Sequence, residues 1–251
     1  FYKIFKIYGR DGRHLIRVIS TFDGIVGAGL GTSGSAAVAL IGALRKEQGR
    51  SMDRMDIVNE AYDIEVNKMG WIGGRQDQIA ATFGGLNLIE FDKEIEVIPF
   101  AKEDAEELKK WMVLFFVGKR ETAGHKIQKG FEKLTKKQIK TLDLIKDKVG
   151  EANYHIGMQG FKDFGLLMNE VWELKKQSNK EISSVLIDAI YEYAKIHGAI
   201  GGKLLGAGGG GYMFFICDPN KQKNLIKQMA KMGIEDIDFS PDFQGLDVRI
   251  I

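Results

Sequence analysis

Cysteine is almost missing from this chain. Only Cys217 occurs in 251 residues, which excludes an internal disulfide framework. Placed in an apolar, strand-like run, Cys217 reads as a small buried hydrophobe, and the composition fits a reducing cytoplasm. Neither sign of charge is in excess, with 36 lysines and arginines against 34 acids. That balance argues against attraction to nucleic acid or a membrane surface by bulk charge, and neither is expected as a partner. Long hydrophobic runs are also lacking, since Ala36–Leu44 and Val113–Val117 fall far short of a bilayer span. No secretory signal, internal repeat, flexible linker or low-complexity tail is visible. What remains, with 44% hydrophobic residues, suits one large domain or two intimately packed lobes.

The most informative stretch is a glycine-rich turn that runs into an apolar helix, Gly27-Ala28-Gly29-Leu30-Gly31-Thr32-Ser33-Gly34-Ser35-Ala36-Ala37. Glycines let backbone amides crowd together, and a helix N-terminus adds free N–H donors and positive dipole, so such turns bind phosphate. Thr32, Ser33 and Ser35 stand where they can cap the helix, bond phosphate or ligate magnesium. Gly29 to Gly34 formally matches G-x-G-x-x-G, but the expected strand, His14–Ile19, ends well before the first glycine. The nearby acids Asp53 and Asp56 open a helix rather than end a strand. A Walker A loop is absent too, because no Gly-Lys-Ser/Thr follows. A simple helix cap is the bland alternative, and a phosphate site outside both common types is the expectation.

Elsewhere the pattern predicts strands at 1–8 and 14–19, then helices at 33–48, from the Asp53 cap to about 68, and at 75–82. Leu86–Phe91 and Glu94–Ile98 read as a strand pair, and Trp111–Val117 as a strand apolar enough to be central. Residues 121–197 read as three or four amphipathic helices, with Lys133–Lys148 a solvated face. Ile200–Leu205 and Tyr212–Cys217 bracket a second glycine loop, Gly206–Gly211. A helix after Pro219 and short strands near Ile237 and Val248 close the chain. Without regular β-α alternation, the expected class is α+β.

Two carboxylates fit the phosphate loop. A kinase acting on an alcohol needs a phosphate cradle, a carboxylate for magnesium and a carboxylate that takes or orients the hydroxyl proton. Glu65, on the last turns of its helix, can supply the first carboxylate and Asp77, opening the next helix, the second. Singly each has a plainer reading: a solvated glutamate, a dipole-favouring aspartate.

With these residues in place, the chain resembles the GHMP kinases. Gly29-Leu30-Gly31-Thr32-Ser33 with Ser35-Ala36-Ala37 is similar to their nucleotide loop, and Lys203-Leu204-Leu205 with Gly206–Gly211 to their C-terminal glycine motif. Gly74-Arg75-Gln76-Asp77-Gln78 and Phe83-Gly84-Gly85-Leu86-Asn87 resemble the sugar branch, most closely the D-glycero-D-manno-heptose 7-phosphate kinases. Gly118-Lys119-Arg120 and Gly198–Lys203 strengthen the comparison. The resemblance implies a two-lobed α+β fold, with a ribosomal-protein-S5-like N-terminal lobe at 1–105 and a ferredoxin-like C-terminal lobe at 106–251.

It also implies ATP and Mg2+ as cofactors and a sugar-phosphate substrate, in a cytoplasmic monomer or homodimer. Gly29, Leu30, Gly31, Thr32, Ser33, Gly34 and Ser35 would embrace the ATP phosphates, Ser33 and Glu65 would hold the magnesium, and Asp77 would lie beside the reacting hydroxyl. Gly74, Arg75, Arg120, Gly208 and Gly209 would bind substrate. The implied reaction is phosphorylation of the anomeric hydroxyl of a heptose 7-phosphate. A fucose- or galactose-type kinase and a catalytically silent binding protein are the alternatives. One departure stands out: the heptose branch's early Arg-Ile-Ser-Phe-Gly-Gly-Gly-Thr-Asp motif has no match. The chain does not begin with methionine, and an N-terminal portion is expected to be missing.

Overall fold

A computed structural model describes Ile19, Thr21 and residues 29–120 and 124–249. The strands expected at 1–8 and 14–19 lie, apart from Ile19, outside the described residues. The described residues form two compact units: Ile19, Thr21, 31–85 and 242–249 belong to the first, and 29–30, 86–120 and 124–241 to the second.

In the first unit, α1 (Thr32–Glu47) and α2 (Arg54–Tyr62) pack their apolar faces together, and α2 continues as a π-helix, Asp63–Lys68. Helix α3 (Gln76–Phe83) packs against both. Apolar positions recur at three- and four-residue spacing along α1 (Ala37, Leu40, Ile41, Leu44) and along α2 (Ile57, Ala61) into the π-turn at Ile64. These residues form the buried cluster of this unit. Asp53 caps α2, its carboxylate accepting from the amide of Asp56 at 2.9 Å. Asp53→Ala is expected to cost about 1 kcal/mol of stability, read as a lowered urea midpoint at unchanged slope. The tail of the chain closes the unit, the Leu246 amide donating to the Thr82 carbonyl at 3.1 Å.

The second unit opens with an antiparallel hairpin of β1 (Asn87–Phe91) and β2 (Ile95–Pro99). Then follow α4 (Lys102–Trp111), β3 (Met112–Phe116), a short α5 (Gly124–Gln128) and the long helices α6 (Lys136–Gly157), α7 (Phe161–Ser178) and α8 (Val185–Ile196). Strands β4 (Ala199–Leu204) and β5 (Tyr212–Cys217) lead to α9 (Pro219–Lys231). The antiparallel sheet has the order β3-β5-β4.

The central strand is therefore β5, all six residues of which are buried, and β3 is an edge. This corrects the expectation from apolarity: among the described residues β3 is met at its outer side by a single bridge between Phe115 and Asp236, while Val113 and Phe115 join the same buried cluster as the helices. That bridge is all that stands near Ile237, and no ladder forms near Val248, so the two short closing strands are absent among the described residues. Helix α4 was also hidden from the pattern, because its charged face supplies only Ala105 and Leu108 to the interior. Helix α6 matches its solvated reading, with Thr141 and Ile156 its only fully buried residues.

Trp172, Tyr191 and Phe215 pack ring to ring at the centre, with centroids 5.9 and 5.4 Å apart. The Tyr191 hydroxyl donates to Asn169 Oδ1 at 3.1 Å and accepts from the Gly202 amide at 3.2 Å, tying α7, α8 and β4 together. Cys217 is buried, and burial pushes its thiol up to about 11, as suits an inert core residue. No helix among the described residues is long and apolar enough to cross a membrane.

Candidate active site

Gly31 sits at the N-cap of α1 in the left-handed region, with φ 65° and ψ 21°. A side chain there would be strained, and its Cβ would also lie 3.4 Å from the Asp77 carboxyl carbon. The cap has no side chain to serve the first turn, so the amides of Thr32, Ser33 and Gly34 have no partner within the helix and point outward at its positive end. No acidic residue occupies that turn. The Ser35 hydroxyl turns back to the Gly31 carbonyl at 3.1 Å. The Thr32 hydroxyl is buried with no partner among the described residues.

Glu65 is brought to this helix end by α2 and its π-turn. It follows Val58 and Ala61 at three- and four-residue spacing on the buried face, and it is only 7% exposed. Its two oxygens accept from the Ser33 hydroxyl and the Gln78 side-chain amide. Among the described residues Glu65 forms no ion pair. The widened π-turn lies where α2 presents this carboxylate, a position such turns often occupy.

Asp77 lies in the first turn of α3, directly before Gln78. Its Cβ is close enough that an added Cβ on Gly34 would stand 3.2 Å from it, so the aspartate packs on the α1 turn. Although the residue as a whole is exposed, desolvation by its neighbours pushes its carboxyl above the ordinary range, and a hydrogen bond from Gln76 opposes this. One unit thus brings together Gly31 to Ser35, Glu65 and Asp77, the first and last of which lie 46 positions apart in the chain. Arg75 is nearby in sequence, but its guanidinium lies over the Tyr62 ring at 4.1 Å and its buried Nε has no hydrogen-bond partner among the described residues. Gly74 faces open space.

An oxygen-only pair, one carboxylate and one hydroxyl, fits a hard cation such as Mg2+, which is commonly held by one or two carboxylates with substrate phosphates completing its shell. Ser33 and Glu65 are the residues that would hold it.

The other candidates lie in the second unit. Gly29 (φ 94°) approaches the β4–β5 loop so closely that a Cβ would stand 2.8 Å from the Leu205 carbonyl. Leu30 is exposed. Arg120 follows β3, and its Nε and Nη2 are buried with no hydrogen-bond partner among the described residues. Gly208 packs on Ile182, while the Gly209 amide donates to the Ile182 carbonyl at 2.9 Å, and the Gly211 amide to Gly118 at 2.7 Å. The glycine loop is therefore pinned from both sides.

Two lysines that sequence reasoning passed over join this group. The Lys175 ammonium donates to the carbonyls of Gly206 (2.9 Å) and Leu204 (3.4 Å). Burial, with Lys203 and Arg120 close by, pushes Lys175 down to about 7. Burial also lowers Lys203 and Arg120. Lys203 belongs to the C-terminal glycine motif, but its spacing implies no role, and Lys175 is one of many lysines in a helical segment.

Comparison with known proteins identifies the family. Residues 1–85 match the family described as GHMP kinases N terminal domain, and residues 151–235 match GHMP kinases C terminal. A D-glycero-alpha-D-manno-heptose 7-phosphate kinase of Campylobacter jejuni is 33% identical over 86% of this chain and 66% of its own length. An L-fucokinase/L-fucose-1-P guanylyltransferase of Bacteroides fragilis is 27% identical over 82% of this chain and 22% of its own length. A solved structure of a candidate sugar kinase from Campylobacter jejuni superposes with a TM-score of 0.68 at 32% identity, covering 88% of this chain and 64% of that one. The chain thus spans less than two thirds of the length of these relatives.

Proposed function

Because the chain belongs to the GHMP kinase family, we propose that it serves an ATP-dependent kinase that phosphorylates a sugar hydroxyl, with a heptose 7-phosphate as the favoured acceptor. The observation that carries this reading is the packing of Asp77 on the open amide turn of α1, beside the Ser33–Glu65 pair. The free amides at the start of α1 bind nucleotide phosphate oxygens. Asp77 takes or orients the proton of the anomeric hydroxyl, whose oxygen then attacks the γ-phosphorus. The bond from that phosphorus to the bridging oxygen breaks, ADP leaves, and a 1,7-bisphosphate forms. A magnesium ion held by Ser33 and Glu65 would neutralise charge on the phosphates. The early family motif without a match in this chain makes a longer protein the fitting subject of the assay.

Steady-state ADP release with a panel of sugars tests the acceptor. Heptose 7-phosphate is expected to give the highest kcat/KM. A preference for fucose or galactose supports a second reading, favoured by the fucokinase relative, and binding of ATP and sugar without ADP release overturns the kinase reading. The glycine at position 34 offers a finer check. Gly34→Ala forces Asp77 to give by a few tenths of an ångström, and turnover is expected to fall about tenfold with little change in melting temperature.

A further inference from the structure

Arg120, Lys175 and Lys203 form a group of cations that the proposed chemistry leaves unexplained. The three come from different elements: Arg120 from the segment after β3, Lys175 from α7 and Lys203 from β4. Arg120 and Lys175 meet at the Gly206–Gly211 loop, and Lys203 lies close enough to Lys175 for their charges to interact. Lys175 reaches the Gly206 carbonyl, and a Cβ on Gly206 would lie 3.3 Å from Arg120 Nη2. The same nitrogen would stand 3.1 Å from a Cβ on Gly29. No acid pairs with any of the three among the described residues. Three like charges gathered around one loop repel one another, and a guanidinium cannot shed its charge to relieve this. Its buried Nε and Nη2 also have no acceptor among the described residues, a costly arrangement that an anion would complete.

We propose that Arg120, Lys175 and Lys203 form a phosphate-binding subsite at the Gly206–Gly211 loop, taking a phosphoryl dianion of a substrate. The identity of that substrate rests on the kinase reading above. Two sources share the chemistry: a phosphate of the nucleotide, and the phosphate that a heptose 7-phosphate already carries. A side chain at Gly29 or Gly206 would crowd Arg120 Nη2, and the planar guanidinium suits bidentate contact with phosphate oxygens.

Sulfate is a suitable probe, because it is a dianion that does not itself titrate near neutrality. Calorimetric titration at pH 7.5, in buffers of differing ionisation heat, is expected to show sulfate binding with proton uptake. The Lys175 amine, at about 7 and facing Lys203 and Arg120, becomes fully charged opposite the anion. Uptake of a fraction of a proton per site is expected on that basis. Lys175→Met is expected to abolish the uptake and weaken sulfate by about tenfold or more. Arg120→Met is expected to weaken it at least as much.

Melting curves of each variant establish that it is folded. If Lys175→Met fails to fold, Lys203→Met serves instead, since Lys203 donates no hydrogen bond within the protein among the described residues. Kinetics then separate the sources. A rise in KM for heptose 7-phosphate alone, with unphosphorylated heptose unaffected, assigns the acceptor's phosphate, and a rise in KM for ATP alone assigns the nucleotide. Sulfate affinity unchanged within twofold in both variants overturns the subsite. Because the titration needs no turnover, that result is distinct from failure of the kinase reading, in which no sugar is phosphorylated.

Discussion

Asp77→Asn is expected to lower turnover by about 1,000-fold while leaving the dissociation constant for ATP nearly unchanged. The substitution keeps shape and packing against Gly31 and Gly34 but removes the carboxylate proposed to take or orient the hydroxyl proton. Activity is expected to depend on the ionised carboxylate, so kcat/KM should rise with pH through the Asp77 pKa. Desolvation raises that pKa above its ordinary 3.8, which places the acid limb of the profile above this value. Stability moves the other way. A carboxyl whose folded pKa is raised binds its proton more tightly in the folded state, so ionisation costs stability as pH rises from 3.8 through the raised value. At neutral pH the asparagine variant avoids that cost and is expected to be at least as stable as the native chain, the gain being small because the residue is exposed. Rapid-quench turnover, equilibrium ATP binding and urea denaturation check the three parts. Turnover within tenfold of the native chain removes Asp77 from its assigned role.

Much of this site was legible in the linear sequence, and the reasons are local. The left-handed turn at Gly31 and the open first turn of α1 are dictated by the glycines and small hydroxyl residues there. Glu65 announced itself less clearly. Read as a solvated glutamate it is unremarkable, yet it continues the Val58–Ala61 stripe, and that periodicity places a carboxylate on a buried face. The sheet order was not legible, since apolarity reports burial and cannot tell an edge covered by helices from a centre. Charged α4 escaped for the converse reason: its exposed face outnumbers the two positions that pack inward. The convergence of Lys175 on the late glycine loop is a product of α7 packing against β4, a long-range contact that no spacing within α7 encodes.

Glu65→Gln is expected to cost about 100-fold in turnover and to remove the magnesium dependence of nucleotide binding. The variant isolates charge from shape. Glu65 accepts from Ser33 at one oxygen and from Gln78 at the other, so a new amide nitrogen would face the Gln78 nitrogen. Gln78 Oε1 is buried with no hydrogen-bond partner among the described residues, however, and rotation of that amide presents this oxygen to the incoming N–H. The hydrogen-bond chain from Ser33 to Gln78 therefore survives with the negative charge gone. Melting temperature should stay close to the native value, whereas deleting the side chain with alanine would leave both donors stranded. For the native chain, ADP binding is expected to tighten about tenfold when magnesium replaces a chelator, reflecting a cation shared between carboxylate and phosphates. For Glu65→Gln the two titrations should coincide. A variant that keeps the full magnesium enhancement would show that the cation is held elsewhere, and would leave Glu65 as a positioning residue for the Ser33 hydroxyl.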